Sequence, residues 1–149
     1  MPPDLLVDPV VRLYVVVYIL LALKMVAVGS YTSVLRIRRR VYATPEDYQL
    51  QGMTPAQARD EDIERVRRAH QNDVENILPF FVLGFLFLLT RPSVTAATIY
   101  LVGYLIARTL HSIFYIRGLQ PHRTVAFTLG GVLTLAMIVQ TLVAVARAG

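Results

Sequence analysis

Arg65–Pro79, RVRRAHQNDVENILP, runs without a break into the apolar stretch Phe80–Leu89, FFVLGFLFLL. From Ile77 to Leu89 the apolar part alone is 13 residues, short of the ~20 that a membrane-spanning helix needs. Two readings are open for this segment. It is the core helix of a soluble protein, or its polar prefix is the first half of a longer membrane helix. The rest of the chain decides between them.

The 149 residues give room for one domain, 1–149. The hydrophobic fraction is 55% and the charged fraction 17%, with a mean hydropathy of +0.52. A soluble globule carries about 25% charged residues, and here the apolar residues are gathered into long blocks. That composition points to a small polytopic membrane protein. The net charge of +5 does not call for nucleic acid. Its arginines flank apolar blocks, where the positive-inside rule accounts for them. With no cysteine, disulfides, a cysteine nucleophile and thiolate-ligated metals are excluded. Asp4 and Asp8 stand where a cleavable signal would carry basic residues, so none is expected.

In chain order, Val10–Ser33 is the first span, with Lys24 inside it. That lysine either snorkels to a headgroup or faces a polar bundle interior. Arg36, Arg38, Arg39 and Arg40 mark a cytoplasmic flank. In the polar connection that follows, Thr44 caps a short turn with Pro45 at its first position and Asp47 as the matching acid. Thr54, Pro55 and Gln57 repeat the pattern, and Asp60, Glu61, Asp62 and Glu64 supply the acidic start of the second long helix. Arg91-Pro92-Ser93 is a turn on the far side. A third span carries Arg108 and His111, a second basic connection ends at Arg123, and a fourth span begins at Thr124. The expected fold is therefore all-α, a bundle of four transmembrane helices over about 10–37, 62–89, 94–117 and 123–146. Residues 38–61 form the cytoplasmic loop, and both termini lie on the opposite side.

Charges inside such spans are the informative residues, because each costs ~2.5–3.5 kcal/mol at mid-depth and must face an interior or a cavity. Arg68, Asn72, Glu75 and Pro79 recur at helical spacing on one face. Tyr104, Arg108, His111 and Tyr115 do the same in the third span, and Gly130-Gly131 allows close approach in the fourth. One reading is a structural network in which Glu75 pairs with Arg68 or Arg108. The other is a cationic pocket that holds an anionic polar ligand through guanidinium contacts. His70, His111 and His122 lack metal-site spacing, so no metal is expected.

The segments ERVRRAHQNDVENILPF (Glu64–Phe80), VLRIRRRVYATPED (Val34–Asp47), ARTLHSIFY (Ala107–Tyr115) and PHRTVAF (Pro121–Phe127) together resemble the MAPEG family. These are the membrane-associated proteins in eicosanoid and glutathione metabolism, and the likeness is to the branch of microsomal glutathione transferases and prostaglandin E synthases. The resemblance covers nearly the whole chain. It implies a homotrimer with glutathione held between subunits and facing the cytoplasm, in a bacterial inner membrane or the endoplasmic reticulum. Lipophilic electrophiles or lipid hydroperoxides would arrive from the bilayer. It further implies glutathione-binding roles for Arg36, Arg68, His70, Asn72, Glu75, Arg108, His111, Tyr115 and Arg123. Arg123 and Thr124 would act on the sulfur, and Lys24 receives no role.

Gln71 in place of an arginine, Phe127 in place of a tyrosine, and a shorter segment between Tyr115 and Arg123 depart from the synthase pattern. They favour a glutathione transferase, with peroxidase side activity. A prostaglandin E synthase-type isomerase and a non-enzymatic lipid-binding scaffold are the alternatives.

Overall fold

The computed structural model describes residues 5–55 and 60–149. A short 3-10 turn, Leu5–Val7, leads into α1, Pro9–Arg39. Asp8 caps α1 by accepting from Val10 N at 2.7 Å, and Pro9 fills the first helical position, where no backbone donor is needed. Arg40, in the left-handed region at φ 54°, closes it. The short α2, Pro45–Leu50, starts as the sequence suggests: Thr44 accepts from Asp47 N at 3.4 Å. The second cap, expected at Thr54 with Gln57, involves positions 56–59 and so lies outside the described residues. Asp60 caps α3, Glu61–Leu89, and also takes a guanidinium nitrogen of Arg39 at 2.7 Å, tying the loop to the end of α1. That contact and the Ile63 N–H hold the Asp60 carboxyl below its ordinary range.

The third span has a break in its regularity. It is α4, Val94–Ala97, then a π turn over Thr98–Val102, then α5, Gly103–Ile116. α6, His122–Ala148, completes the chain. Among the described residues, four helical segments are long and apolar enough to cross a membrane: Pro9–Arg39, Glu61–Leu89, Val94–Ile116 and His122–Ala148. Large apolar side chains such as Leu23, Val26, Leu135 and Leu142 point outward along them, as suits a surface solvated by lipid rather than water. The protein is a multi-spanning membrane protein.

α1 packs on α3, α3 on α5, and α5 on α6. The core is aromatic at its centre. Phe80 and Tyr104 stack with ring centroids 3.5 Å apart and planes 4° from parallel. Tyr18 crosses from α1 and donates to the Phe80 carbonyl at 2.6 Å. This crossing depends on Gly84, where an added Cβ would fall on the Tyr18 hydroxyl. Gly84→Ala is therefore expected to destabilise by about 1–3 kcal/mol through overpacking. Thermal unfolding in detergent measures it, and the Tyr18→Phe companion, which shortens the obstructing group, recovers part of the loss. Of the glycine pair in α6, Gly130 is buried against the Arg108 stem while Gly131 faces open space, so only the first brings helices together.

Lys24 faces inward. Its ammonium lies 2.6 Å from Asp73, which has no exposed surface. Arg108, 1% exposed, reaches the same carboxylate at 3.2 Å, and the Ser112 hydroxyl donates to both of its oxygens at 3.1 Å. The pairing of Glu75 with Arg68 or Arg108 expected from the sequence is not formed; Arg108 pairs with Asp73 instead. Glu75 accepts from Gln71 at 3.0 Å, on the outside of α3. The reason is angular: at 100° per residue, Asp73 shares the buried stripe of Ala69, Ile77 and Phe80, whereas Glu75 lies far around the helix from it.

Candidate functional site

At the arginine-rich end of the bundle, α5 and the start of α6 form a pocket of about 240 Å³ lined by His111, Arg123, Thr124 and Phe127. α5 brings His111 and Tyr115 to one face one turn apart, their rings 5.6 Å from centroid to centroid. The Arg123 guanidinium lies 4.5 Å over the Tyr115 ring, a cation–π contact that orients it. Phe127 also packs against the imidazole, with ring centroids 5.5 Å apart.

Gln120 sets the polarity of this pocket. With its amide oxygen turned to Arg123, it accepts from Nη2 at 2.6 Å and Nε at 3.1 Å, while its nitrogen donates to Thr124 Oγ1 at 3.0 Å. Two guanidinium nitrogens are thereby fixed in direction. The Thr124 oxygen has an acceptor site filled, so its own O–H is left to donate elsewhere. Gln120 has no counterpart among the residues singled out by sequence. It precedes α6 in the turn after α5, where helical spacing gives no signal.

His111 is 3% exposed, and its Nδ1 is 3.0 Å from the backbone oxygen of Arg123. A carbonyl only accepts, so Nδ1 carries the proton. Nε2 is buried without a partner.

One turn deeper, Arg108 Nη2 donates to Asn72 Oδ1 at 2.6 Å and to the Asn72 backbone oxygen at 3.1 Å. The Asn72 side-chain oxygen is therefore occupied, which leaves its NH₂ as the group available to a ligand. Arg108 is sequestered: it braces Asn72 and Asp73 instead of presenting a free fork. Its Nε is buried and unbonded beside a cavity of about 290 Å³ that Glu75, Asn76 and Thr134 also line.

The remaining expected residues fall elsewhere. Arg68 and Glu75 are exposed on the outer face of α3, with Asn72 half-buried beside them. Arg36 and His70 lie on the α1 side, lining a groove of about 580 Å³ together with Thr32, Asp47 and Arg67. The His70 ring fits beneath Gly29, where a Cβ would come within 3.1 Å of it. Arg36 Nε and His70 Nδ1 are both buried without partners. Within one chain, then, the expected residues fall into two groups. Arg108 joins Asn72, and His111 joins Tyr115, Arg123 and Thr124, while Arg36 and His70 share the groove against α1.

Among the described residues, no group of three or more histidines, aspartates or glutamates could hold a metal ion. The donors that are present are cationic, amide and hydroxyl. Those groups, together with the orphaned buried nitrogens of Arg36, His70, Arg108 and His111, fit a small anionic peptide such as glutathione.

Fold and pocket define a four-span membrane protein with an arginine- and histidine-lined pocket at its basic end. The chain belongs to the MAPEG family, whose profile matches residues 14–143. It is 33% identical over 151 residues to prostaglandin E synthase of Bos taurus, covering 99% of both chains. To microsomal glutathione S-transferase 1 of Sus scrofa it is 40% identical over 119 residues, covering 76% of this chain and 77% of the relative. To prostaglandin E synthase of Homo sapiens it is 34% identical over 141 residues, covering 94% of this chain and 93% of the relative.

Proposed function

We propose that the protein is a membrane-bound glutathione S-transferase that binds glutathione, favours its thiolate, and adds it to lipophilic electrophiles. The observation that carries this is the Gln120-organised pair of Arg123 and Thr124 beside His111, a cation and a hydroxyl donor aimed into one small pocket. A guanidinium and a free O–H donor both favour sulfur in its anionic form, and Arg123 does so without losing its own proton. Arg36, Arg68 and the Asn72 amide would hold carboxylates and peptide oxygens, and Glu75 would accept from the γ-glutamyl ammonium. Lipid hydroperoxides are a second substrate class at the same sulfur.

The working unit in this reading is a homotrimer with the site between subunits. Arg68, Gln71 and Glu75 are exposed within a spanning helix, and polar groups facing lipid are costly, so a second copy covers them. The two groups then meet across the interface, with Arg36 and His70 of one subunit facing Asn72, Arg123 and Thr124 of the next. Arg36 to Arg40, Arg117 and Arg123 share one end of the bundle, which the positive-inside rule puts at the cytoplasm, with both termini opposite.

The test uses detergent-purified trimer with glutathione and a chromogenic electrophile, reading thiolate absorbance and product together. Both signals are expected. Neither a thiolate nor turnover would leave the family's non-enzymatic scaffold role as the better account. Turnover of a prostaglandin endoperoxide far above that of the electrophile would favour an isomerase.

A further inference from the structure

We propose that His111 is the base that takes the thiol proton, with Nε2 as the acceptor atom. This rests on the transferase reading and adds the component it lacks. Arg123 stabilises a thiolate but cannot accept a proton, being always charged. Thr124 donates. Some other group must receive the hydrogen, and among the residues lining the pocket only His111 offers an unoccupied nitrogen lone pair.

Three observations place it. The Nδ1–H donates to the Arg123 carbonyl at 3.0 Å, which fixes the tautomer and leaves Nε2 as an acceptor. Nε2 is buried and unbonded, an expensive arrangement for a polar atom unless a ligand completes it. The ring packs against both Tyr115 at 5.6 Å and Phe127 at 5.5 Å, which limits its turning. The carbonyl that orients the ring belongs to Arg123 itself. Base and thiolate-stabilising cation are thus set by one residue at the start of α6.

The charged groups around the ring are Arg108 on α5, Arg123 on α6, and, one layer deeper, Asp73 on α3 and Lys24 on α1. In the step itself the S–H bond breaks, the proton bonds to Nε2, and the electron pair stays on sulfur. That pair then forms the C–S bond while the electrophile's leaving group departs with its own pair. Nε2 returns its proton to the leaving group or to water.

His111→Asn is the decisive variant, since its amide can still donate to the Arg123 carbonyl while offering no base. Glutathione affinity should fall far less than the stopped-flow rate of thiolate formation, which should drop about 10²-fold, the usual worth of a general base. His111→Gln, which places an amide near Nε2, should be equally slow. In the resting wild-type protein, ¹⁵N NMR of labelled histidine should show the Nδ1–H tautomer. An Nε2–H tautomer, or an unchanged rate of thiolate formation in His111→Asn with normal glutathione binding, overturns the assignment of the base alone. Wild-type protein that binds no glutathione overturns the transferase reading and this inference together.

Discussion

Replacing Arg123 by glutamine should lower the glutathione-conjugation rate by about 10²–10³, the loss seen when one preorganised charge-stabilising donor is removed. Glutathione affinity should fall far less, because the carboxylates of the peptide are assigned to Arg36 and Arg68. The physical reason lies in what Gln120 does. It fixes two of the guanidinium nitrogens, so Arg123 meets the developing thiolate already oriented, with little reorganisation left to pay for. The measurement is the pair kcat and glutathione Kd on the same preparation. A loss confined to Kd would remove Arg123 from the sulfur and make it a carboxylate anchor.

The second large effect should come at Asp73. This carboxylate, with no exposed surface, serves Lys24 at 2.6 Å, Arg108 at 3.2 Å and the Ser112 hydroxyl at 3.1 Å. Asp73→Ala strands two buried cations, and removing one partner of a buried ion pair costs about 3–5 kcal/mol. Lys24→Met should cost less, since the remaining Asp73–Arg108 pair is balanced. The double variant Asp73→Ala/Lys24→Met should lie between the two, because one stranded charge has been removed with its partner. Thermal unfolding in detergent, with size-exclusion profiles to report assembly, ranks the three. If Asp73→Ala melts with the wild type, the cluster is not what holds α1, α3 and α5 together.

The sequence carried the helices and their starts well, because these are local. Thr44 before Pro45 and the acidic run from Asp60 each write a cap in consecutive residues; the Asp8 cap before Pro9 went unread, with the first span taken from Val10. Ile77–Leu89 spans because Arg65–Pro79 belongs to one continuous helix with it. Periodicity also grouped Arg68, Asn72 and Glu75 on one face, but could not say what that face meets. In one chain it points outward while Asp73, between them in sequence, is the residue buried.

The pairing of Lys24 with Asp73 was out of reach because it joins residues 49 apart on separate helices. The π turn at Thr98–Val102 leaves no mark in residue type. Gln120 stayed hidden for a related reason. Its contact with Arg123 and Thr124 depends on where α6 begins, and helix starts without a side-chain cap, as here at Pro121, are the least legible. His70 turned out to face α1 rather than the Arg123 pocket, a consequence of its lying well around the helix from Arg68 and Asn72.

The Lys24–Asp73 pair also constrains the order of biogenesis. Chains emerge amino-terminus first at about 5–20 residues per second. Lys24 is therefore made some 2–10 s before the carboxylate 49 residues later that neutralises it. During that interval α1 meets the translocation machinery with an unpaired ammonium, which its long stem can carry toward a headgroup region. Only when α3 arrives can the ammonium turn inward. α1 thus gains the partner that buries its ammonium only after α3 has been made.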